Sequence, residues 1–372
     1  MRDMRSLLPF LLSLFSGAAV QAQWWKVQTS GIDSNLRGVS VAETRDARGA
    51  PMPVVWASGS NGVILKSVDE GKTWKRVHVN GGDTLDFRGV VAFDENTGYV
   101  MSSGEGEKSR IYKTADGGET WAQQYMDKRK EFFLDSIACL SEARCFALGD
   151  PIDGKFLLLA TTDGEHWNPL PSGNMPIAVT GEGAFAASNT CLVVSGKEIF
   201  FGTGGPAARV FHSTDLGRTW SVSETPIESS KPSAGIFSVA LSGSNLIMAV
   251  GGDYKESGRP YRVAGYSADG GKTWRLAAQQ PGGYRSGVAP VDDGRWVAVG
   301  PNGEDVSGDS GAHWKHTDSL NLNAVALLDM RTGWAVGPNG TIARFVNHYQ
   351  YEIHDRHPHG HQEQAAPPLP IN

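Results

Sequence analysis

The stretch SADGGKTW, Ser267–Trp274, decides the fold, because close copies return as SVDEGKTW (Ser67–Trp74), TADGGETW (Thr114–Trp121), STDLGRTW (Ser213–Trp220) and SGDSGAHW (Ser307–Trp314). A shorter copy, TTDGEHW, runs from Thr161 to Trp167. Aligned on the aspartates Asp69, Asp116, Asp163, Asp215, Asp269 and Asp309, the copies are spaced by 47, 47, 52, 54 and 40 residues. That period matches four-stranded propeller blades and exceeds most helical repeats. Each copy closes on a tryptophan, Trp74, Trp121, Trp167, Trp220, Trp274 or Trp314, so six of the 11 tryptophans share one place in the repeat.

The text between the copies is periodic too. An apolar run such as RGVSVA, RGVVAF or LNAVALL opens each unit, and a second such as VVWASG, GYVMSSG or GWAVG comes after it. A third leads into the repeated phrase, and the residues after its tryptophan supply a fourth. No stretch keeps a helical period, so an all-β chain is expected. The last unit stops after its third strand at Phe345, whereas Trp25-Lys26-Val27 near the start resembles the residues that succeed the tryptophan in other units, such as Trp74-Lys75-Arg76. The N-terminal strand is therefore expected to complete the last blade, closing a seven-bladed β-propeller and hiding the edge of a partial blade. Residues 23–346 are assigned to this propeller.

The phrase itself, S/T-x-D-x-G-x-T-W, is that of the Asp box, the bacterial neuraminidase repeat. Its aspartate and hydroxyl oxygens accept backbone N–H groups inside a tight turn, its glycine takes a backbone shape other residues resist, and its tryptophan packs between blades. Six equivalent carboxylates around a ring do not converge on one point, as a catalytic set must. The phrase is read as architecture. The shortened Asp163 copy and the His313 copy, which lacks the threonine, are expected to be looser. Because the phrase joins third and fourth strands, the working face should be the opposite one, near the axis.

Residues 1–22 read as a secretory leader: Arg2 and Arg5, an apolar run from Leu7 to Val20, and small residues before a cleavage point after Ala22. Periplasmic or extracellular placement is the consequence, and no other stretch is apolar enough to span a membrane. Without the leader, 32 basic face 39 acidic residues, which argues against nucleic acid as partner. Of three cysteines, Cys139 and Cys145 flank a hairpin turn and are expected to pair, leaving Cys191 buried. Residues 347–372, with His348 and the run HDRHPHGH from His354 to His361, read as a disordered tail with no fixed metal geometry.

At the entry to the innermost strands stand Arg37 (LRGV), Arg88 (FRGV) and Arg285 (YRSG), with Leu134-Asp135, Ile236-Phe237 and Asn321-Asn323 at corresponding places in other units. Three arginines converging near one axis would hold a carboxylate. Tyr284 and Glu182 extend the candidate set, as do Asp150 and Asp153 of GDPIDGK. The competing reading pairs each arginine with an acidic loop, for which Glu105, Glu107, Asp150, Asp153, Asp253, Glu304 and Asp305 are available.

The boxes, with FRGV…GYVMSSG and GWAVGPNGTIARF, resemble the photosystem II stability and assembly factor family of propellers from about Trp24 to Phe345. GDPIDGKFLLLATTDG, GEGAFAASNT and FGTGGPAARVF are similar to a bacterial branch of that family whose members carry generic labels such as oxidoreductase. The resemblance implies a monomeric, non-catalytic scaffold that binds a protein or peptide client, a membrane-protein precursor among the possibilities, through an arginine-lined axial patch to which Arg37, Arg88 and Arg285 correspond. No cofactor or metal is expected. Two enzyme readings compete. A sialidase- or glucanase-type glycosidase would cast the arginines, Tyr284 and Glu182 as its machinery, but the arginine-isoleucine-proline motif that opens sialidase domains is absent. An oxidoreductase would need G-x-G-x-x-G, C-x-x-C or a haem-attachment motif, and none is present.

Overall fold

The computed structural model describes residues 25–346 apart from 46, 47, 51 and 244. The leader and the His-rich tail assigned above lie outside these residues. Seven antiparallel sheets succeed one another along the chain. Blade 1 comprises Leu36–Ala42, Val54–Gly59, Ile64–Ser67 and Lys75–Val77. Blades 2 to 6 open on Phe87–Ala92, Leu134–Ser141, Leu192–Ser195, Lys231–Ser242 and Gly287–Asp292, and blade 7 on Ala324–Leu327. These innermost strands adjoin one another in order, with that of blade 7 returning to that of blade 1. A short strand, Gly204–Gly205, adds to the inner edge of blade 5. Among the described residues the helices are two single 3₁₀ turns, Gly106–Lys108 and Tyr254–Glu256, and no helix is long and apolar enough to cross a membrane.

The ring closes as expected. Trp25–Thr29 pairs with Thr341–Phe345, from Trp25 opposite Phe345 to Thr29 opposite Thr341. Trp25 is buried, its ring edge-on to Phe345 at 5.2 Å between centroids. Joining first and last segments in one sheet removes the open edge that either would present alone.

Burial explains why second strands read as unbroken apolar runs. Val54–Gly59 and Gly98–Ser102 are buried at every residue, each flanked by strands on both sides and covered by a neighbouring blade on each face. The outermost Lys75–Val77 buries only Val77. The core is shared between blades: Trp56 of blade 1 packs with Val100 and Tyr112 of blade 2, and Tyr99 of blade 2 with Leu159 and Trp167 of blade 3.

The repeated turns share one hydrogen-bond scheme. In blade 1 Ser67 Oγ donates to Asp69 Oδ1 (2.8 Å) and accepts from Gly71 N (2.8 Å), while Asp69 accepts from Thr73 N (2.9 Å) and Thr73 Oγ1 (2.6 Å). Glu70 and Gly71 both adopt positive φ, 61° and 76°, so the turn spends two residues in the left-handed region. Blade 2 repeats the scheme on Thr114, Asp116, Gly118 and Thr120. The loosening expected of the histidine-bearing copies is not found. His313 Nδ1 lies 2.7 Å from Asp309 Oδ2 and His166 Nδ1 2.8 Å from Asp163 Oδ2, so an imidazole N–H takes the place of the threonine hydroxyl. The tryptophan ring then reaches the adjoining blade, as where Trp121 meets Trp56 edge-on at 6.1 Å.

Cys139 and Cys145 face each other in register across the Ser141–Arg144 hairpin and are joined by a disulfide. Cys191 is free and buried.

Candidate functional site

Strand register gives the entry to each inner strand a common geometry. Pairing skips one residue between Leu36 and Gly38, Phe87 and Gly89, Leu134 and Ser136, and Ile236 and Ser238. The skipped residues, Arg37, Arg88, Asp135 and Phe237, sit on β-bulges, which bend a strand and re-aim one side chain. A small residue comes next in each case because inner strands crowd at the axis. A Cβ on Gly38 would lie 2.6 Å from Ser58 Oγ, and one on Gly89 2.6 Å from Asn189 Oδ1.

Arg37 and Arg88 therefore emerge from equivalent bulges on adjacent strands. Arg88 Nε donates to Asp86 Oδ2 (2.7 Å), and Nη1 reaches the Ala186 carbonyl of the segment entering blade 4 (3.1 Å). Arg37 is half-buried, and its Nε is buried without a hydrogen-bond partner among the described residues. Burial, and then the charge of Arg88, push the Arg37 guanidinium below the ordinary arginine range, with Asp86 and Tyr284 opposing. Of the two arginines, Asp86 is thus bonded to Arg88 alone and acts on Arg37 only through its field.

Blade 3 contributes acids of a different kind. Asp135 is buried and neither carboxylate oxygen has a hydrogen-bond partner among the described residues, so burial, then Asp150, drive its carboxyl far up towards the neutral form while Arg88 opposes. Asp150 accepts from Ala184 N (3.0 Å), and burial pushes it up to about 6. Asp153 stands exposed at the hairpin turn with φ 53°.

Arg285 is placed differently. Its N–H bonds back to Gly251 O of the preceding blade (3.0 Å), as Leu36 N does to Gly337 O (3.1 Å) and Ile236 N to Thr203 O (3.0 Å). Arg285 is thus the counterpart of Leu36, and Ser286 that of Arg37. One residue of offset turns a side chain to the other face. Arg285 is accordingly buried, donating from Nε to Asp305 Oδ2 (2.6 Å) and from Nη1 to Tyr284 O (2.9 Å) and Asn302 Oδ1 (3.1 Å). The pairing of an arginine with an acidic loop describes this residue, and the structure does not bring it to Arg37 and Arg88.

Glu182 is likewise engaged: Arg209 Nε donates to Oε1 (2.9 Å), Arg209 Nη2 pairs with Oε2, and Val179 N (2.8 Å) adds a bond to Oε2. The parts a sialidase-type reading gives to Glu182 and Arg285 are taken by internal partners. Tyr284 does join the axial cluster. It is buried against Phe237 at 4.7 Å, edge-on, and within the field of Arg37. Phe237 stacks on Phe185 at 3.8 Å, and the half-exposed Tyr254 leans on Phe237 at 6.1 Å. This aromatic wall beside the arginines escaped the sequence reading. Its signal was Phe237 standing where Arg37 and Arg88 stand in their units.

No protein-family model matches the sequence, and no curated protein does. Among solved structures, YCF48 bound to D1 peptide superposes with a TM-score of 0.61 at 14% identity, over 87% of this chain and 97% of that one. The fold is that of the YCF48 propellers. YCF48 from Cyanidioschyzon merolae gives a TM-score of 0.62 at 14% identity, over 87% and 99%. The extracellular domain of BT4673 from B. thetaiotaomicron gives 0.54 at 12%, over 86% of this chain and 40% of that one.

Proposed function

We propose that this chain is an exported, non-catalytic propeller that captures a carboxylate-bearing segment of a protein client on its Arg37–Arg88 face. The observation that carries this reading is the buried Nε of Arg37, without a hydrogen-bond partner among the described residues, beside Arg88, whose Nε is bonded to Asp86. A carboxylate from a client would satisfy both guanidiniums with charge-assisted hydrogen bonds, and the wall of Phe237, Tyr254 and Tyr284 would receive an apolar residue beside it. The YCF48 structure that holds a D1 peptide supports a peptide-binding role for this architecture. The client is a protein or a membrane-protein precursor, and the propeller works as a monomer.

The assignments of residues 1–22 as leader, 23–346 as propeller and 347–372 as tail belong to this proposal. The likeness to an extracellular domain supports a periplasmic or extracellular site of action.

The test is affinity capture from the protein's own envelope extract with wild type, Arg37→Glu/Arg88→Glu, and Lys75→Glu, which changes an exposed lysine after a repeated turn. A client held by wild type and Lys75→Glu but lost by the double variant, with circular dichroism unchanged, is the expected result. Equal capture by all three would reject the arginine face.

A further inference from the structure

We propose that a second site, on the opposite face between blades 3 and 4, binds a small amphipathic carboxylate of the medium-chain fatty-acid class. It lies where the short outer strand of blade 3 meets the repeated turn of blade 4. That strand is only Asn168–Pro169; Leu170 N still bonds Leu158 O (2.8 Å), and Pro171, which has no N–H, follows directly. Phe146 on the second strand and Ala160 on the third, both buried, lie beneath this edge, and Leu170 folds against the turn of blade 4 at Gly217, where Leu216 adopts φ 60°. A cavity of about 400 Å³ remains, walled by Phe146, Ala160, Leu170 and Leu216, with Arg144 and Arg218 also lining it.

The two arginines give the cavity its chemistry. Both are exposed, and neither guanidinium has an ion-pair or hydrogen-bond partner among the described residues. Their backbones are held in place. Arg144 pairs with Ser141 in the hairpin closed by the Cys139–Cys145 disulfide. Arg218 N donates to Asp215 Oδ1 (3.0 Å), and its carbonyl accepts from Asn174 Nδ2 (3.2 Å). A hydrocarbon alone would leave both charges unused, and a small inorganic anion would leave the apolar walls uncovered. A carboxylate on a chain satisfies both, because guanidinium forks match carboxylates and each buried methylene adds roughly four-fold in affinity. The volume lies within the range of roughly 300–1,000 Å³ typical of small-molecule sites.

The site is independent of the Arg37–Arg88 reading, since it lies beside the repeated turns. The probe is decanoate below its micellar concentration, measured by titration calorimetry on the whole protein, with octanoate, decanol and acetate as comparisons. Decanoate should bind about ten-fold or more tighter than octanoate, and decanol and acetate far more weakly. Arg144→Ala/Arg218→Ala should lose at least ten-fold. Ala160→Leu, which fills the cavity with apolar volume and keeps both arginines, should abolish binding while circular dichroism stays unchanged. Absence of decanoate binding, equal binding of decanol, or undiminished binding in either variant would each overturn the proposal.

Discussion

Asp305 holds Arg285 inside blade 6, one residue out of step with the bulge from which Arg37 enters the axial cluster. The two arginines look alike in YRSG and LRGV, yet one completes a buried ion pair and the other lacks a partner at Nε among the described residues. Removing one member of a buried pair leaves the other charge uncompensated, at a cost of about 3–5 kcal/mol. Arg285→Ala should therefore destabilise by that amount in urea unfolding, and Arg37→Ala by less than about 1 kcal/mol. Equal losses would contradict the assignment of internal and external roles.

Stability should fall as pH rises from 5 to 8. Burial pushes Glu304 up to about 8 and Asp150 up to about 6, and it raises Asp135 as well. A carboxyl whose folded pKa lies above its unfolded value near 4 stabilises fully below that value, and the contribution is lost as pH climbs through the folded pKa. Glu304→Gln should flatten the decline, which for one such group is on the order of 1 kcal/mol per pH unit. Urea midpoints of both proteins between pH 4 and 9 check this, and parallel curves would refute it.

The repeated turns set the acid limb. Hydrogen bonds from the threonine hydroxyls, then from the threonine backbone N–H groups, bring Asp116, Asp215 and Asp269 down to about 2. A depressed carboxyl stabilises above its unfolded pKa and ceases to as pH falls through the folded one. Replacing Thr120, Thr219 and Thr273 together by valine should shift the acid-unfolding midpoint upward, as read by tryptophan fluorescence.

His313 should prove replaceable by threonine but not by alanine. Its ring bonds Asp309 Oδ2 as the threonine hydroxyl bonds Asp69 in blade 1. His313→Thr is expected to keep the melting temperature within about 1 °C of wild type, and His313→Ala to lower it by a few degrees.

Closure of the ring rests on Trp25. Trp25→Ala should cost about 3–5 kcal/mol, the range for truncating a large buried aromatic. Deleting residues 25–29 should also expose the edge of Thr341–Phe345 and produce self-association in sedimentation.

The architecture was legible because a propeller writes itself repeatedly. The aspartate-to-tryptophan phrase, the buried second strands and the matching ends at Trp25 and Phe345 are local patterns whose chemistry repeats in every blade. Arg37 and Arg88 were legible for the same reason, since their LRGV and FRGV contexts align without offset. Arg285 was not, because YRSG carries no mark of a one-residue shift, and only the bond from its N–H to Gly251 O reveals it. Phe237, Phe185 and Tyr254 lie in separate segments of blades 4 and 5, and their contact depends on how those blades meet.

By itself the sequence determined the all-β class, the seven units, the joining of the propeller's first and last strands and the structural role of the repeated turn. Each depends on spacing along the chain and on hydrogen bonds within a few residues. The tertiary structure alone decided which charges face inward to one another and which stay available: Arg285 on Asp305, Glu182 on Arg209, Asp135 buried without a hydrogen-bond partner among the described residues, and Arg37 beside Arg88. The physical reason is that the energy of a charge depends on its desolvation and on the distances to other charges. Those distances are set by strand register and blade packing across some hundred residues of chain, as in Arg88 bonded to the Ala186 carbonyl.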